Sequence, residues 1–298
     1  MLKLLLGRAG TGKTRALLEA MAAGDGRPQI LIVPEQHSHS MERQLCAIGG
    51  SRVSLFAEVL SFTRLANRVF SVYGGLAALT LDGGGRLLLL CAALKSVAPE
   101  LRVYQRPSRK PAFLSGLLAT VDELKTCRIT PEQLWTAGEE SGGGEGDKLR
   151  DLSLIYGAYE AMTARQGADP RDRLTRLAEA LTREDWAVGK DFYLDAFTDF
   201  TPQERAVLSA LLGKANSVTV ALTSTSWRRT RGARGFSLPP AAPPASSSGW
   251  PRSGAFPGKL RCVPAGPDPR RRPWPTWRAR SSPPGPPPMR ARRRSSLC

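Results

Sequence analysis

The amino-acid sequence predicts an α/β protein: a parallel sheet flanked by helices, interrupted by an all-helical insertion and followed by a disordered tail. Three observations carry this reading. Short apolar runs at 4–6, 30–33, 53–60, 191–194 and 217–222 alternate with stretches of helical spacing, the pattern of strands buried on both faces. Between 76 and 166 the strands disappear and 3.6-residue periodicity takes over. After residue 223 the composition changes abruptly. Residues 224–298 hold sixteen Lys and Arg against the single acid Asp268, and sixteen of the 24 prolines. The preceding 223 residues carry 27 basic and 25 acidic side chains, so the net charge of +17 belongs almost entirely to the tail. Charge alone therefore does not make the α/β part a nucleic-acid binder.

The first run, Leu4-Leu5-Leu6, leads into Gly7-Arg8-Ala9-Gly10-Thr11-Gly12-Lys13-Thr14, a complete Walker A pattern. Its glycines let successive backbone N–H groups close around phosphate oxygens. Lys13 brings a point charge to the outer phosphates, and Thr14 can place a hydroxyl on Mg2+. Residues 15–22 continue as a helix whose amino end faces the bound anion. A strand before the loop and a helix after it favour nucleotide binding over an unliganded glycine turn.

The second strand, 30–33, ends at Pro34-Glu35-Gln36. His37 and His39 follow and would share a face of an extended segment, as metal ligands do. A polar loop leading into a helix over 40–47 is the favoured reading. A third strand occupies 53–60. Ser61 caps a helix whose stripe of Phe62, Leu65, Ala66, Val69, Phe70 and Tyr73 reads as core. The hydroxyls of Ser61 and Thr63, with Arg64, form a candidate contact for a nucleic-acid phosphate backbone.

The insertion carries helical spacing over 85–98, 111–127, 131–137 and 148–165, with breaks expected at 107–111 and at the glycine run 142–146. Ile155, Tyr156, Tyr159 and Met162 are expected to pack inside it. A helix over 171–181 returns the chain to the α/β part, and strand 191–194 ends in Asp195, where a phosphate-loop fold places a Mg2+ ligand. Thr201, Pro202 and Glu204 spell a helix start with a capping box, and 217–222 is the last strand. The expected organisation is thus a first α/β segment at 1–75, the insertion at 76–166, a second α/β segment at 167–223 and the tail at 224–298. The five scattered cysteines fit reduced thiols, with no spacing for a metal site, and neither a secretory signal nor a membrane span is visible.

Taken together, the motifs resemble those of a superfamily 1 helicase motor, most closely the B-subunit family of the bacterial AddAB helicase-nucleases. The carrying residues are Gly7 to Thr14, Val33-Pro34-Glu35-Gln36 with Met41-Glu42-Arg43, and Val59-Leu60-Ser61-Phe62-Thr63-Arg64-Leu65-Ala66. Ile129-Thr130-Pro131 and Asp195-Ala196-Phe197-Thr198-Asp199-Phe200-Thr201-Pro202-Gln203-Glu204 complete the set. The resemblance implies a RecA-like fold, ATP and Mg2+ as ligands, and an A subunit as heterodimer partner. It also implies double-stranded DNA ends and single-stranded DNA as substrates, a cytoplasmic role in repair by homologous recombination, and no membrane.

Two departures stand out. The Glu that follows the strand-end Asp in the wider helicase family is Ala196 here, so ATP hydrolysis at this site is expected to be badly impaired. The resemblance stops near Thr223, before the second motor domain and the nuclease domain with its iron-sulfur cluster, so that cluster is not expected on this chain and the chain alone is expected to be inactive. A reading-frame change is the expected origin of the tail. A nucleotide-gated scaffold without catalysis is the main alternative. A small-molecule kinase ranks last, since the insertion has few paired arginines and reads as packed helices.

Overall fold

The computed structural model describes residues 1–77, 79–105 and 111–223, together with the backbone of 261–262. The expectation of a disordered tail falls on residues outside these, apart from the two-residue strand Arg261–Cys262.

Five strands form the body of a parallel sheet: β1 (Leu2–Gly7), β2 (Gln29–Ile32), β3 (Ala57–Leu60), β4 (Asp191–Leu194) and β5 (Ser217–Thr223). β6 (Arg261–Cys262) joins β1 on its outer side, giving the order β3-β2-β4-β5-β1-β6. Because side chains alternate across each strand, β1 to β5 each feed two cores. On one face, Ile30, Ile32, Phe192, Leu194, Val218 and Val220 meet α3 (Phe62–Tyr73), α8 (Arg173–Arg183) and α9 (Pro202–Lys214). On the other, Leu5, Leu31, Val33 and Ala221 meet Leu17, Leu18 and Met21 of α1 (Lys13–Ala22) and Met41 and Leu45 of α2 (Ser38–Gly49). Burial on both sides is why these strands read as unbroken apolar runs.

The insertion consists of α4 (Gly83–Val97), α5 (Pro111–Cys127), α6 (Pro131–Ser141) and α7 (Gly143–Gln166) around a third core that includes Leu90, Leu94, Val121, Ile155 and Tyr159. Its neck is closed by a parallel bridge between Thr80 and Ala168, with the Leu81 amide donating to Ala168 O at 3.0 Å and the Ala168 amide to Leu79 O at 2.8 Å. Beside the neck lies a buried ionic cluster. The ammonium of Lys125 lies 2.5 Å from Glu160, 2.7 Å from Asp172 and 3.3 Å from Asp169. Arg86 is 3.1 Å from Asp169 and also pairs with Asp122, while the Tyr159 hydroxyl donates to Asp169 at 2.8 Å. Burial pushes the Glu160 and Asp172 carboxyls up. Burial acts on Asp169 in the same direction but is outweighed by the Arg171 amide, Lys125, Tyr159 and Arg86, which hold it below the usual carboxylate range.

Three local expectations need correction. The run 53–60 is only half strand, since Ser51–Leu55 is a 3-10 turn. Gly50 at φ 68° starts that turn, Val53 plugs the core from it and Leu55 is left 83% exposed, which breaks the alternation a strand needs. His37 and His39 are not in an extended segment: His37 closes the 3-10 turn Glu35–His37 and His39 lies in the first turn of α2. The glycine run 142–146 does not separate helices over its length, because α7 begins at Gly143. A Cβ on Gly146 would lie 2.4 Å from the Gly138 carbonyl oxygen, so glycine here lets α6 and α7 approach backbone to backbone.

Candidate nucleotide site

The loop between β1 and α1 has the backbone that its glycines foretell. Gly10 and Gly12 take φ of 73° and 82°, and Gly12 stands at the N-cap of α1 with no side-chain cap, leaving the helix amino end open to an anion. Gly7 admits no side chain: a Cβ there would lie 2.6 Å from Thr11 Oγ1 and 3.4 Å from Lys13. Thr11 Oγ1 donates to Arg8 O at 2.9 Å and stiffens the turn, whereas Arg8, Ala9 and Gly10 are exposed at its tip. Lys13 is buried, and its Nζ donates to Gly7 O at 3.0 Å and Arg8 O at 2.8 Å. The lysine thus curls back over the loop it would share with phosphate. Thr14 follows in the first turn of α1, half-buried.

Asp195 immediately follows β4, at the same carboxyl edge of the sheet. β5 separates β4 from β1, so the Asp195 backbone and the loop are two strand spacings apart, about 10 Å. Asp195 is 5% exposed. Its Oδ1 accepts the Ala196 amide at 2.8 Å, while its Oδ2 is buried with no partner. A buried carboxylate oxygen without a donor fits a water- or cation-facing role. Among the described residues no group of three or more His, Cys, Asp or Glu could hold a metal ion. A Mg2+ here would rely on Thr14, Asp195, water and phosphate oxygens, the usual mode for this ion.

Ala196 has a left-handed backbone, φ 65°, and offers no proton acceptor on its side chain. The register Gly7↔Thr223 also sets Thr223 beside the start of the loop. Sequence spacing gave no signal for that neighbour, since it depends on which strands pair.

The candidate phosphate-backbone contacts divide. Ser61 is 3% exposed and its Oγ accepts the Arg64 amide at 3.2 Å, so its hydroxyl serves α3 as a cap. Thr63 and Arg64 are exposed on the first turn of the same helix.

Comparison with known proteins covers this whole assembly. A family model described as ADDB, N-terminal, matches residues 4–238. A relative from Thermoanaerobacter sp. (strain X514), named as the B subunit of an ATP-dependent helicase/deoxyribonuclease, is 37% identical over 227 residues, covering 74% of this chain and 20% of its own length. Relatives of the same name from Desulforudis audaxviator (strain MP104C) and Desulforamulus reducens are 41% identical over 231 residues and 36% over 230, with the same shares covered. The chain thus spans about a fifth of the length of these relatives. A family match over most of the chain, together with identity at this level, establishes that it belongs to the ADDB family through that family's amino-terminal domain.

Proposed function

We propose that this chain is the nucleotide-binding, amino-terminal portion of one subunit in an ATP-dependent helicase/deoxyribonuclease, and that it binds Mg-ATP with little or no turnover. The observation that carries the reading is the loop: an uncapped helix amino end, two left-handed glycines and a buried lysine whose only hydrogen-bond acceptors among the described residues are the loop's own carbonyls. The triphosphate would take the N–H groups of residues 10–14, drawing the Thr11 amide from Arg8 O, 3.4 Å away, and Lys13 from Gly7 O and Arg8 O. Thr14 and Asp195 would hold Mg2+, which neutralises phosphate charge when bound. Ala196 supplies no base to orient or deprotonate a water, and loss of such help typically lowers a rate by about a hundred- to ten-thousandfold.

By the names of the relatives, the partner is a second subunit, and the complex unwinds and degrades DNA. We extend this to double-stranded ends and single strands, to homologous recombination repair in the cytoplasm, and to Thr63 and Arg64 as contacts to the phosphate backbone. Ala196 favours the reading in which nucleotide occupancy gates binding of DNA or protein over one in which this site drives a motor.

The test is titration of ATP with and without Mg2+ on the chain and on Asp195→Asn. The variant should lose about tenfold, ~1.4 kcal/mol, of the affinity that Mg2+ adds, and bind metal-free ATP unchanged. Equal Mg2+ dependence in both proteins would remove Asp195 from the site.

A further inference from the structure

Ala196 is the strained point of the carboxyl edge. Its φ of 65° lies in the left-handed region that disfavours an L-residue, and the Asp195 carboxylate helps to hold it there, with Oδ1 accepting the Ala196 amide at 2.8 Å. The other carboxylate oxygen, Oδ2, is buried without a partner. It reaches a cation or a cation's water only if the carboxylate turns, and turning withdraws Oδ1 from the amide. Ala196 then keeps its strain and loses its restraint, a backbone poised between two conformations.

The segment that follows leaves little slack to absorb such a change. Phe197 packs against Phe200, ring centroids 4.9 Å apart, and against Phe62 of α3 at 5.5 Å, and Thr201 caps α9. In the first turn of α9, Gln203 is buried, and its Nε2 donates to Arg171 O at 2.8 Å and to Thr175 Oγ1 of α8 at 3.1 Å. The turn Pro170–Asp172 is gripped from its other side by the insertion. Arg171 Nε lies 2.9 Å from Asp122 and the Asp172 carboxylate 2.7 Å from Lys125, both residues of α5. One short turn thus joins the helix that starts beside Asp195 to the helical insertion.

We infer that the nucleotide site controls how firmly the insertion is held. When Asp195 turns toward Mg-nucleotide, Ala196 leaves the left-handed region, the start of α9 shifts, and Gln203 gives up its bonds to Arg171 and Thr175. The Pro170–Asp172 turn and the end of α5 then loosen together. This deepens the proposed binding of Mg-ATP at Thr14 and Asp195 and rests on it. Occupancy alone sets the state, which suits a site where Ala196 supplies no base for turnover.

The experiment is amide hydrogen exchange on the chain, free and saturated with ATP or Mg-ATP, alongside Gln203→Met and Ala196→Gly. The amides to follow are Asp172, bonded to Asp169 O at 3.0 Å, and Arg128 and Ile129, bonded to Lys125 O at 3.0 Å and Leu124 O at 2.9 Å. Mg-ATP should speed their exchange at least about fivefold, the low end of coupling between sites, and metal-free ATP should leave it unchanged. Gln203→Met keeps the bulk of the side chain and lacks its donors, so these amides should exchange fast with or without nucleotide while those of β2 stay slow. Ala196→Gly has no left-handed strain to release and should stay slow with Mg-ATP bound. Calorimetry on the same samples separates the failures. Bound Mg-ATP with unchanged exchange, or equal acceleration by metal-free ATP, overturns the coupling and leaves the nucleotide reading intact; so does a response like the parent chain's in either variant. Absence of any nucleotide binding overturns both.

Discussion

Ala196 combines two roles at a single residue. Its left-handed backbone costs an L-residue about 1–2 kcal/mol, and the Asp195 carboxylate helps to hold it there by accepting the Ala196 amide at 2.8 Å. Ala196→Gly should therefore raise stability by about 1 kcal/mol, measured by urea unfolding, without creating ATPase activity. A destabilised variant would mean that the alanine methyl packs against something that outweighs backbone freedom. The backbone of the Gly7–Thr14 loop is the part of the candidate site that spacing alone made legible, because glycines at fixed offsets supply the left-handed positions that the turn into α1 needs. Asp195 was readable as a strand-end acid. Its free Oδ2 was not, since a lone oxygen's lack of a partner depends on everything folded around it.

At the level of elements, helix starts with local chemistry were legible. Thr201 accepts the Glu204 amide and Glu204 reaches back to the Thr201 amide, the capping box that four adjacent residues had spelled out. Contacts between distant elements were not. Gly146 read as a breaker, yet it is helical and faces Gly138. Gly146→Ala should destabilise by about 1–3 kcal/mol through overpacking against backbone, outweighing the ~1 kcal/mol that helix propensity would add, as thermal or urea unfolding would register. The ionic cluster draws Arg86, Asp122, Lys125, Tyr159 and Asp169 from segments up to 83 residues apart, so no local pattern announces it.

This cluster also carries a pH signature. The Asp169 carboxyl is held below its ordinary value, so its contribution is complete above 3.8, the unfolded-state value, and is lost as pH falls through the depressed one. Asp169→Asn should cost ~3 kcal/mol at neutral pH, because it leaves Lys125 and Arg86 short of a buried counter-charge. That cost should shrink well below pH 3.8, where the native residue is itself neutralised. Glu160 and Asp172, raised by burial, act in the opposite sense: what they add is present at low pH and fades as pH rises through their folded values. A cost independent of pH would show that Asp169 acts through shape and hydrogen bonding instead of charge.

For the whole molecule, the sheet and its two-faced cores set the uncapped amino end of α1 and Asp195 at the carboxyl edge, where we propose that nucleotide and Mg2+ bind. The proposed function depends on whether the loop binds nucleotide. The most direct measurement is ATP affinity by calorimetry in the presence of Mg2+, on the chain and on Lys13→Ala, with circular dichroism on both. Because, among the described residues, the Lys13 ammonium meets only loop carbonyls, its removal should leave the fold intact and lower affinity at least tenfold, ~1.4 kcal/mol or more. Unchanged affinity in a folded Lys13→Ala variant would contradict the assignment of this loop as the nucleotide site.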